Sequence, residues 1–261
     1  MRTAGSDPTA KDLGINTAGV IGAGVMGSGI AQTLASAGYK TFCFDISADA
    51  LGAARESVVS GHYGLERAVD LGKTSREDAD ATHARLEFTD DLDRACTAAL
   101  VVECVPERLD LKIQTFRDLD RRAPEGSILA SNSSGFSIAG LGAATDRPEW
   151  VVGWHWASPP VISRFAEIVR SPATSDECLS TVVEAATRCG KHPVVVKDSA
   201  MSWGYVANRV YGAMIREAAR CADEGIATHA EIDQLMVDCF RWPVGPFGMA
   251  KGATSGWKKT Q

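Results

Sequence analysis

Six glycines lie within the 21 residues GVIGAGVMGSGIAQTLASAGY, from Gly19 to Tyr39, between an apolar run and a helix-like run. Three of them have the spacing GxGxxG, which is typical of a turn that binds the pyrophosphate of a dinucleotide. The first glycine permits a tight turn, the second lets phosphates approach the backbone, and the third lets helix and strand pack closely. Amide groups at the start of the helix then face the phosphates. The residues expected at the phosphates are Gly22, Gly24, Val25, Met26 and Gly27.

An acidic residue, Asp45, ends the next apolar run, KTFCFD, 23 residues after Gly22. This distance is close to the ~20 residues expected for a carboxylate that binds the adenosine ribose. A carboxylate at this point repels the 2′-phosphate of NADP, and the first arginine that follows is Arg55. The sequence therefore favours NAD over NADP as the cofactor.

A reaction at a bound dinucleotide also needs a group that exchanges a proton, and histidine does so near neutral pH. Four of the five histidines lie in polar segments or beside a charge: His62, His83, His192 and His229. His155 lies inside an apolar run, VVGWHWASPP, near the end of the strand which that run predicts. Because open α/β sheets bind ligands at the carboxyl ends of their strands, His155 is the candidate acid/base.

A carboxylate is available to orient His155. The run that contains His155 and the run at residues 165–169 flank a proline-containing turn region. If they pair antiparallel about Val161, Glu167 stands directly opposite His155 on the same face of the sheet. Glu167 would then fix the imidazole tautomer and stabilise the imidazolium form. The alternative is a hydrogen-bonded core histidine beside an unrelated charge at the strand edge.

These groups lie on alternating strand-like and helix-like segments, which predict a mostly parallel sheet with helices on both faces. The predicted strands are residues 16–21, 40–45, 98–105, 127–131, 150–156, 165–169 and 192–197. The predicted helices are residues 26–37, 48–69, 109–121, 138–143, 178–188, 206–224 and 230–240. The fold class is therefore α/β, a Rossmann-type NAD-binding domain followed by a small all-α C-terminal domain. We expect a flexible tail over residues 1–13, the NAD-binding domain over 14–200 and the helical domain over 201–261.

The composition excludes several classes of protein. A net charge of −6 argues against a nucleic-acid binder, because phosphate contacts need a basic surface. Seven scattered cysteines without CxxC or metal-ligand spacing predict free thiols in a reducing compartment and no metal site. The first 14 residues are polar, unlike a signal peptide, and no apolar run approaches the ~20 residues of a membrane span. We expect a cytoplasmic protein that does not bind membranes.

The chain resembles the L-3-hydroxyacyl-CoA dehydrogenase family, including its short 3-hydroxybutyryl-CoA type, from about Ala18 to Met249. The resemblance rests on an ordered set of motifs: GAGVMGSGIA at 22–31, ECVPE at 103–107, SNSS at 131–134, GWHW at 153–156, FAEIV at 165–169, GYVANR at 204–209 and GPF at 245–247. It implies an NAD-dependent oxidoreductase of fatty acid metabolism. Its substrate would be an acyl-CoA or a related thioester.

The resemblance also implies roles for individual residues. His155 would be the acid/base with Glu167 as its partner, while Ser134 and Asn208 would bind the substrate oxygen. Glu107 and Lys112 would lie near the nicotinamide ribose and amide, with Ser134 nearby. These six groups would support transfer of the C3 hydrogen of the substrate as hydride to NAD. For Ser134 an N-cap for the helix that starts at Ile138 is the alternative.

The sequence departs from the family pattern at three places. Gly61 and Ala68 occupy the positions where the resemblance implies a serine and a lysine toward the CoA phosphates. The nearby cations that could substitute are Arg67, Lys73 and Arg76. Three additional residues, Met201, Ser202 and Trp203, precede the helical domain, where Trp203 would cover the core or narrow the acyl pocket. Only 14 residues follow Phe247, whereas the family's helical domain continues for several more helices.

These departures leave alternatives to a CoA thioester open. A thioester on a carrier protein and a small free hydroxy acid are possible substrates, and a non-catalytic NAD-binding protein is the alternative outside the enzymes. The predicted helices at 206–224 and 230–240 have apolar faces that need cover, which favours a homodimer.

Overall fold

The structure is a computed structural model that describes residues 15–199 and 203–255. The chain divides into two compact units, of which the first ends at Trp203 and the second begins at Gly204. The predicted tail at residues 1–13 lies outside the described residues. So does the predicted domain boundary between residues 200 and 201.

An eight-stranded sheet forms the centre of the first unit. Its strands are β1 (Thr17–Ile21), β2 (Lys40–Phe44), β3 (Leu86–Thr89), β4 (Leu100–Glu103), β5 (Ile128–Ser131), β6 (Val151–Trp156), β7 (Phe165–Arg170) and β8 (His192–Lys197). The spatial order is β3-β2-β1-β4-β5-β6-β7-β8. The pair β6–β7 is antiparallel and the other neighbouring pairs are parallel. The predicted Rossmann-type fold class is therefore confirmed.

Helices connect these strands and form the second unit. In the first unit they are α1 (Val25–Ser36), α2 (Ala48–Ser60), α3 (Leu65–Asp70), α4 (Arg76–Arg85), α5 (Leu92–Cys96), α6 (Leu109–Arg122), α7 (Ile138–Gly142) and α8 (Asp176–Arg188), with a 3₁₀ turn at Pro148–Trp150. In the second unit they are α9 (Val206–Asp223), α10 (His229–Phe240) and α11 (Pro246–Ser255). Among the described residues, no helix is long and apolar enough to cross a bilayer.

The predicted helix over residues 48–69 is wrong, because the structure has two helices there. Helix α2 ends at Ser60 and α3 begins at Leu65. Gly61 and Gly64 form the break, and their backbone angle ψ is 174° and 166°, which is extended rather than helical. A Cβ atom on Gly61 would lie 2.4 Å from the Ser57 carbonyl oxygen. The chain can turn this sharply only because these positions lack side chains.

Several short elements are absent from the predicted set: β3, α4, α5 and α11. Strand β3 has four residues and lies at the edge of the sheet, so it carries little apolar periodicity. Helix α4 buries only Ala79 and Thr82. A start signal for α4 is present, since Ser75 Oγ accepts a hydrogen bond from Asp78 N at 3.0 Å.

The core of the first unit places polar groups at strand ends. The residues of β4 and β5 are all buried, as are those of β6. Among them are Glu103 and Ser131, the last residues of β4 and β5, and His155 near the end of β6. Because buried polar groups need partners, their concentration at these strand ends indicates a candidate functional site.

Candidate active site

The glycine turn between β1 and α1 is packed so closely that side chains are excluded at two positions. Gly22 has φ +106°, and a Cβ atom there would lie 2.7 Å from the Cys104 carbonyl oxygen. A Cβ atom on Gly27 would lie 1.7 Å from the Gly22 carbonyl oxygen. The first and third glycines therefore let the turn contact β4 and the helix approach the turn.

The second glycine has the opposite surroundings. A Cβ atom on Gly24 would meet no atom within 4 Å, so the space beside it is open. Gly24 is the N-cap of the 12-residue helix α1, whose first turn has no acidic residue, and Val25 is exposed. Open space at the positive end of a helix suits an anionic group, so the turn fits a pyrophosphate.

Asp45 follows β2 and lies against the same turn. Its Oδ2 accepts a hydrogen bond from Ala23 N at 2.8 Å, and its Oδ1 accepts one from Ser47 N at 2.9 Å. The spacing of 23 residues from Gly22 thus does bring this carboxylate to the glycine turn. Its role at an adenosine ribose stays a prediction.

The carboxyl ends of the central strands lie side by side. Ile21 pairs with Glu103, Glu103 with Ser131, and Ser131 with Gly153. The strand order reverses between β1 and β4, and such switch points form the crevice in which open α/β sheets bind ligands. The glycine turn, the segments that follow β4 and β5, and the end of β6 therefore line one crevice.

His155 and Glu167 are directly opposed in the antiparallel pair β6–β7, as the predicted pairing about Val161 requires. His155 Nδ1 lies 2.8 Å from Glu167 Oε2, and the two residues are 6% and 4% exposed. Because a carboxylate accepts this hydrogen bond, Nδ1 carries a proton and Nε2 is the atom that can exchange one. The edge of the imidazole meets the Phe165 ring at a centroid distance of 5.2 Å.

The two tryptophans beside His155 pack on the other face of the sheet. Trp154 and Trp156 are buried, with ring centroids 4.7 Å apart. The backbone N–H of Trp156 donates to Asn132 Oδ1 at 3.0 Å, and the N–H of Asn132 donates to the Glu103 carbonyl oxygen at 2.9 Å. Asn132 thus ties the segment after β5 to the strands on both of its sides.

Ser134 belongs to this segment, and its backbone N–H donates to Glu107 Oε1 at 2.9 Å. Ser133 Oγ donates to the same oxygen at 2.5 Å. Ser137 rather than Ser134 caps α7, since Ser137 Oγ accepts from Gly140 N at 3.2 Å. The alternative interpretation of Ser134 as the N-cap of that helix is therefore wrong.

Lys112 is almost completely buried between two carboxylates. Its Nζ lies 2.7 Å from Glu103 Oε1 and 3.2 Å from Glu107 Oε2, and its side chain is 1% exposed. Burial lowers the pKa of Lys112, but the charges and hydrogen bonds of Glu103 and Glu107 outweigh this and raise it. Lys112 holds Glu107 in place here, and its predicted position at a nicotinamide amide is not tested by these contacts. Sequence reasoning missed Glu103, although a charge that ends an apolar strand is a signal for such a partner.

Asn208 lies in the first turn of α9, in the second unit, and its role stays a prediction. In that unit Asp233 of α10 accepts hydrogen bonds from Phe247 N at 2.8 Å and from Gly248 N at 2.9 Å. A Cβ atom on Gly245 would lie 2.4 Å from Asp233 Cα, so the GPF motif packs the start of α11 tightly against α10.

A cavity of about 480 Å³ lies in the first unit beneath α3 and α4. Its lining includes Arg67, Lys73 and Arg85, and the apolar residues Tyr63, Leu71 and Ile162. Arg76 is absent from this lining, and its Nη1 lies 3.6 Å from Glu66 Oε1. Two of the three cations that we considered at the CoA phosphates therefore share one cavity.

Trp203, which could cover the core or narrow the acyl pocket, is 59% exposed. This exposure argues against the first role. Met201 and Ser202 lie outside the described residues.

A switch-point crevice with a phosphate-binding turn and a buried proton-exchanging pair is typical of dinucleotide-dependent dehydrogenases. Residues 17–199 match the family model of the 3-hydroxyacyl-CoA dehydrogenase NAD-binding domain, and residues 204–259 match that of the family's C-terminal domain. The chain belongs to the 3-hydroxyacyl-CoA dehydrogenase family. This membership supports NAD-dependent hydroxyacyl-CoA dehydrogenase activity.

Three similar proteins illustrate the range of the family. A 3-hydroxybutyryl-CoA dehydrogenase of Mycobacterium tuberculosis is 34% identical over 90% of this chain and 81% of its own length. The crystal structure of (S)-3-hydroxybutyryl-CoA dehydrogenase from Ralstonia eutropha has a TM-score of 0.87 and 33% identity, covering 92% of this chain and 82% of that one. A 5-formyl-3-hydroxy-2-methylpyridine 4-carboxylate 5-dehydrogenase of Mesorhizobium japonicum is 32% identical over 88% of this chain and 71% of its own.

The glycine turn gives a first testable prediction. Gly24→Ala places a methyl group in open space, so we expect unchanged thermal stability and at least about tenfold weaker NADH binding, because the methyl group occupies the space proposed for phosphate. Gly27→Ala forces a Cβ atom onto the Gly22 carbonyl oxygen, so we expect a loss of about 2 kcal/mol or more in unfolding free energy. Thermal unfolding and fluorescence titration with NADH measure the two effects. Normal NADH binding by Gly24→Ala would contradict the phosphate site.

Proposed function

We propose that this protein catalyses reversible hydride transfer between NAD and C3 of a 3-hydroxyacyl-CoA thioester, giving the 3-keto thioester. NAD supplies the chemistry by accepting the hydride, and the protein supplies position and charge. The observation that carries the proposal is the buried contact of 2.8 Å between His155 and Glu167 at the carboxyl edge of the sheet.

In this proposal His155 takes the hydroxyl proton of the substrate at Nε2 while the hydride leaves. Glu167 holds the ring through Nδ1 and stabilises the imidazolium that forms. In the reverse direction His155 returns the proton to the developing alkoxide. Ser134 would donate a hydrogen bond to the same oxygen and hold C3 in position for hydride transfer, and the family resemblance implies a bond from Asn208 to the substrate oxygen as well.

The cofactor residues follow the crevice in this proposal. The glycine turn binds the pyrophosphate of NAD, with Val25 and Met26 at the start of α1, and Asp45 binds the adenosine ribose. Glu107 and Ser134 lie toward the nicotinamide end, and Lys112 acts there through Glu107, since its own ammonium is buried. The cations Arg67 and Lys73 of the cavity beneath α3 and α4 would bind CoA phosphates.

A second candidate substrate is a small free hydroxy acid or a carrier-bound thioester. It is favoured by Gly61 and Ala68, which stand where the family resemblance implies groups that bind CoA. The similarity to a dehydrogenase named for a pyridine carboxylate fits the same alternative.

We infer that the protein works as a homodimer in the cytoplasm. In the second unit α9 buries only Ala218, and large apolar residues are exposed at Val206, Val210, Leu235 and Phe240. A second copy of this chain would cover such a surface. The seven free cysteines are consistent with a reducing compartment.

The acid/base pair is tested by His155→Gln and Glu167→Gln. We expect His155→Gln to lower kcat for acetoacetyl-CoA reduction by about a hundred- to ten-thousandfold, with the NADH dissociation constant within about twofold, because only proton transfer is lost. Glu167→Gln should lower kcat less, since the imidazole remains. The matched control is His192→Gln, which changes an exposed histidine. Turnover by His155→Gln at the parent rate would favour a non-catalytic NAD-binding protein.

Asp45→Ala tests the choice of cofactor. The parent should prefer NADH, and the variant should lose about tenfold or more of the kcat/KM ratio for NADH over NADPH, because the charge that repels a 2′-phosphate is removed. Asp49→Ala, at an exposed position in the first turn of α2, removes the same charge nearby and should keep the ratio. Equal use of both cofactors by the parent would overturn the role of Asp45.

The double variant Arg67→Ala/Lys73→Ala tests the CoA site. We expect about a tenfold higher KM for acetoacetyl-CoA and an unchanged KM for the acetoacetyl thioester of N-acetylcysteamine, which lacks the phosphates. Arg76→Ala is the control, since Arg76 pairs with Glu66 outside the cavity lining. Equal responses to both thioesters would remove this cavity from the substrate site. A parent that reduces a free 3-keto acid best would support the second candidate.

A further inference from the structure

Two carboxylates share one ammonium at the end of β4. Lys112 Nζ contacts Glu103 Oε1 on one side and Glu107 Oε2 on the other. We call Glu103, Lys112 and Glu107 the β4 charge cluster. It joins the last residue of a core strand to the segment that lines the crevice.

The β4 charge cluster carries one surplus negative charge. Glu103 accepts hydrogen bonds from three donors, Lys112 Nζ at 2.7 Å, Val105 N at 2.8 Å and Ser131 Oγ at 2.7 Å. Burial raises the pKa of Glu103, and these donors oppose the rise by stabilising the carboxylate. The formal charges of two carboxylates and one ammonium sum to −1, so one negative charge is left over.

The surplus charge is presented to the crevice at Glu107. The side chains of Glu103 and Lys112 are at most 1% exposed, whereas that of Glu107 is 33% exposed. Ser133 Oγ and Ser134 N fix Glu107 Oε1, so the carboxylate is held in one orientation. A fixed charge of this kind acts on a ligand without the cost of reorganisation.

Glu107 stands where a dinucleotide bound at the glycine turn would place its other half. The Gly22 turn packs on Cys104 at the end of β4, and Glu107 bonds to the segment that follows β5. His155 lies on the next strand, β6. A ligand that runs from the glycine turn toward His155 therefore passes Glu107.

We propose that the surplus negative charge of the β4 charge cluster makes the site discriminate between the two redox states of the cofactor. The oxidised nicotinamide ring is cationic and the reduced ring is neutral, so the charge at Glu107 stabilises NAD⁺ relative to NADH. Compared with a neutral residue at this position, Glu107 therefore favours NAD⁺ with the 3-hydroxyacyl thioester over NADH with the 3-keto thioester on the enzyme. The inference rests on the NAD site of the proposed function and adds a determinant of redox-state preference.

The test compares Glu107→Gln with Glu107→Asp. Glutamine keeps the shape and an oxygen that accepts from Ser133 and Ser134 but removes the charge, whereas aspartate keeps the charge and shortens the side chain. We expect the ratio of dissociation constants, Kd(NAD⁺)/Kd(NADH), to rise about tenfold in Glu107→Gln and to stay within about threefold of the parent in Glu107→Asp. Isothermal titration calorimetry of the full-length protein without substrate measures both dissociation constants.

The control is Glu125→Gln, which removes a charge from an exposed residue just before β5. This residue lies at the amino-terminal end of β5, away from the crevice, so the ratio should stay unchanged. A ratio within about twofold of the parent in Glu107→Gln would overturn the inference even if dehydrogenase activity is intact. An equal loss of affinity for both redox states in Glu107→Gln would overturn it too, since only the shape of the site would then matter. A tenfold change in the ratio in a protein without turnover would support the inference and count against the proposed function.

Discussion

The candidate site depends on the reversal of one strand. In a parallel sheet only the last residues of each strand reach the carboxyl edge, but Glu167 is the third residue of β7. Because β7 runs antiparallel to β6, the start of β7 lies at that edge and Glu167 meets His155. The loop that makes the reversal is held by the buried Lys191, whose Nζ donates to the carbonyl oxygens of Pro160 at 2.5 Å and Ser163 at 2.6 Å.

A second constraint is the cost of burying charge at the ends of apolar strands. Strand β4 reads Leu-Val-Val-Glu and is buried throughout, as central strands of parallel sheets are. An unpaired Glu103 in this position would be strongly destabilising, so Lys112 and Ser131 are part of what allows the strand to end there. The apolar residues of β4 and β5 thus fix these strands in the sheet. Glu103 at the end of β4, bonded to Lys112 and Ser131, fixes the segments that carry Glu107 and Ser134.

The sequence predicts those parts of this site that follow from local pattern or symmetry. The glycine spacing predicts the turn, and the equal distances from Val161 predict the partner of His155. The β4 charge cluster could not be predicted in this way, because a glutamate at the end of an apolar run indicates that a partner exists but not which residue that partner is. Helix α4 was missed for a related reason, since most of its surface faces solvent and only its Ser75 cap marks it.

The positions of the two charged groups at the carboxyl edge explain how the proposed reaction keeps its charge balance. Hydride transfer removes the positive charge of an oxidised nicotinamide, while the hydroxyl proton places a positive charge on His155. In the proposed arrangement Glu107 would face the first location, and Glu167 Oε2 lies 2.8 Å from the imidazole at the second. A positive charge therefore moves from the neighbourhood of one carboxylate to that of another, and the total charge of the crevice stays constant. In a site of low dielectric constant such an exchange costs less than the creation of a net charge, so the spacing of these two carboxylates along one sheet edge suits a reversible reaction.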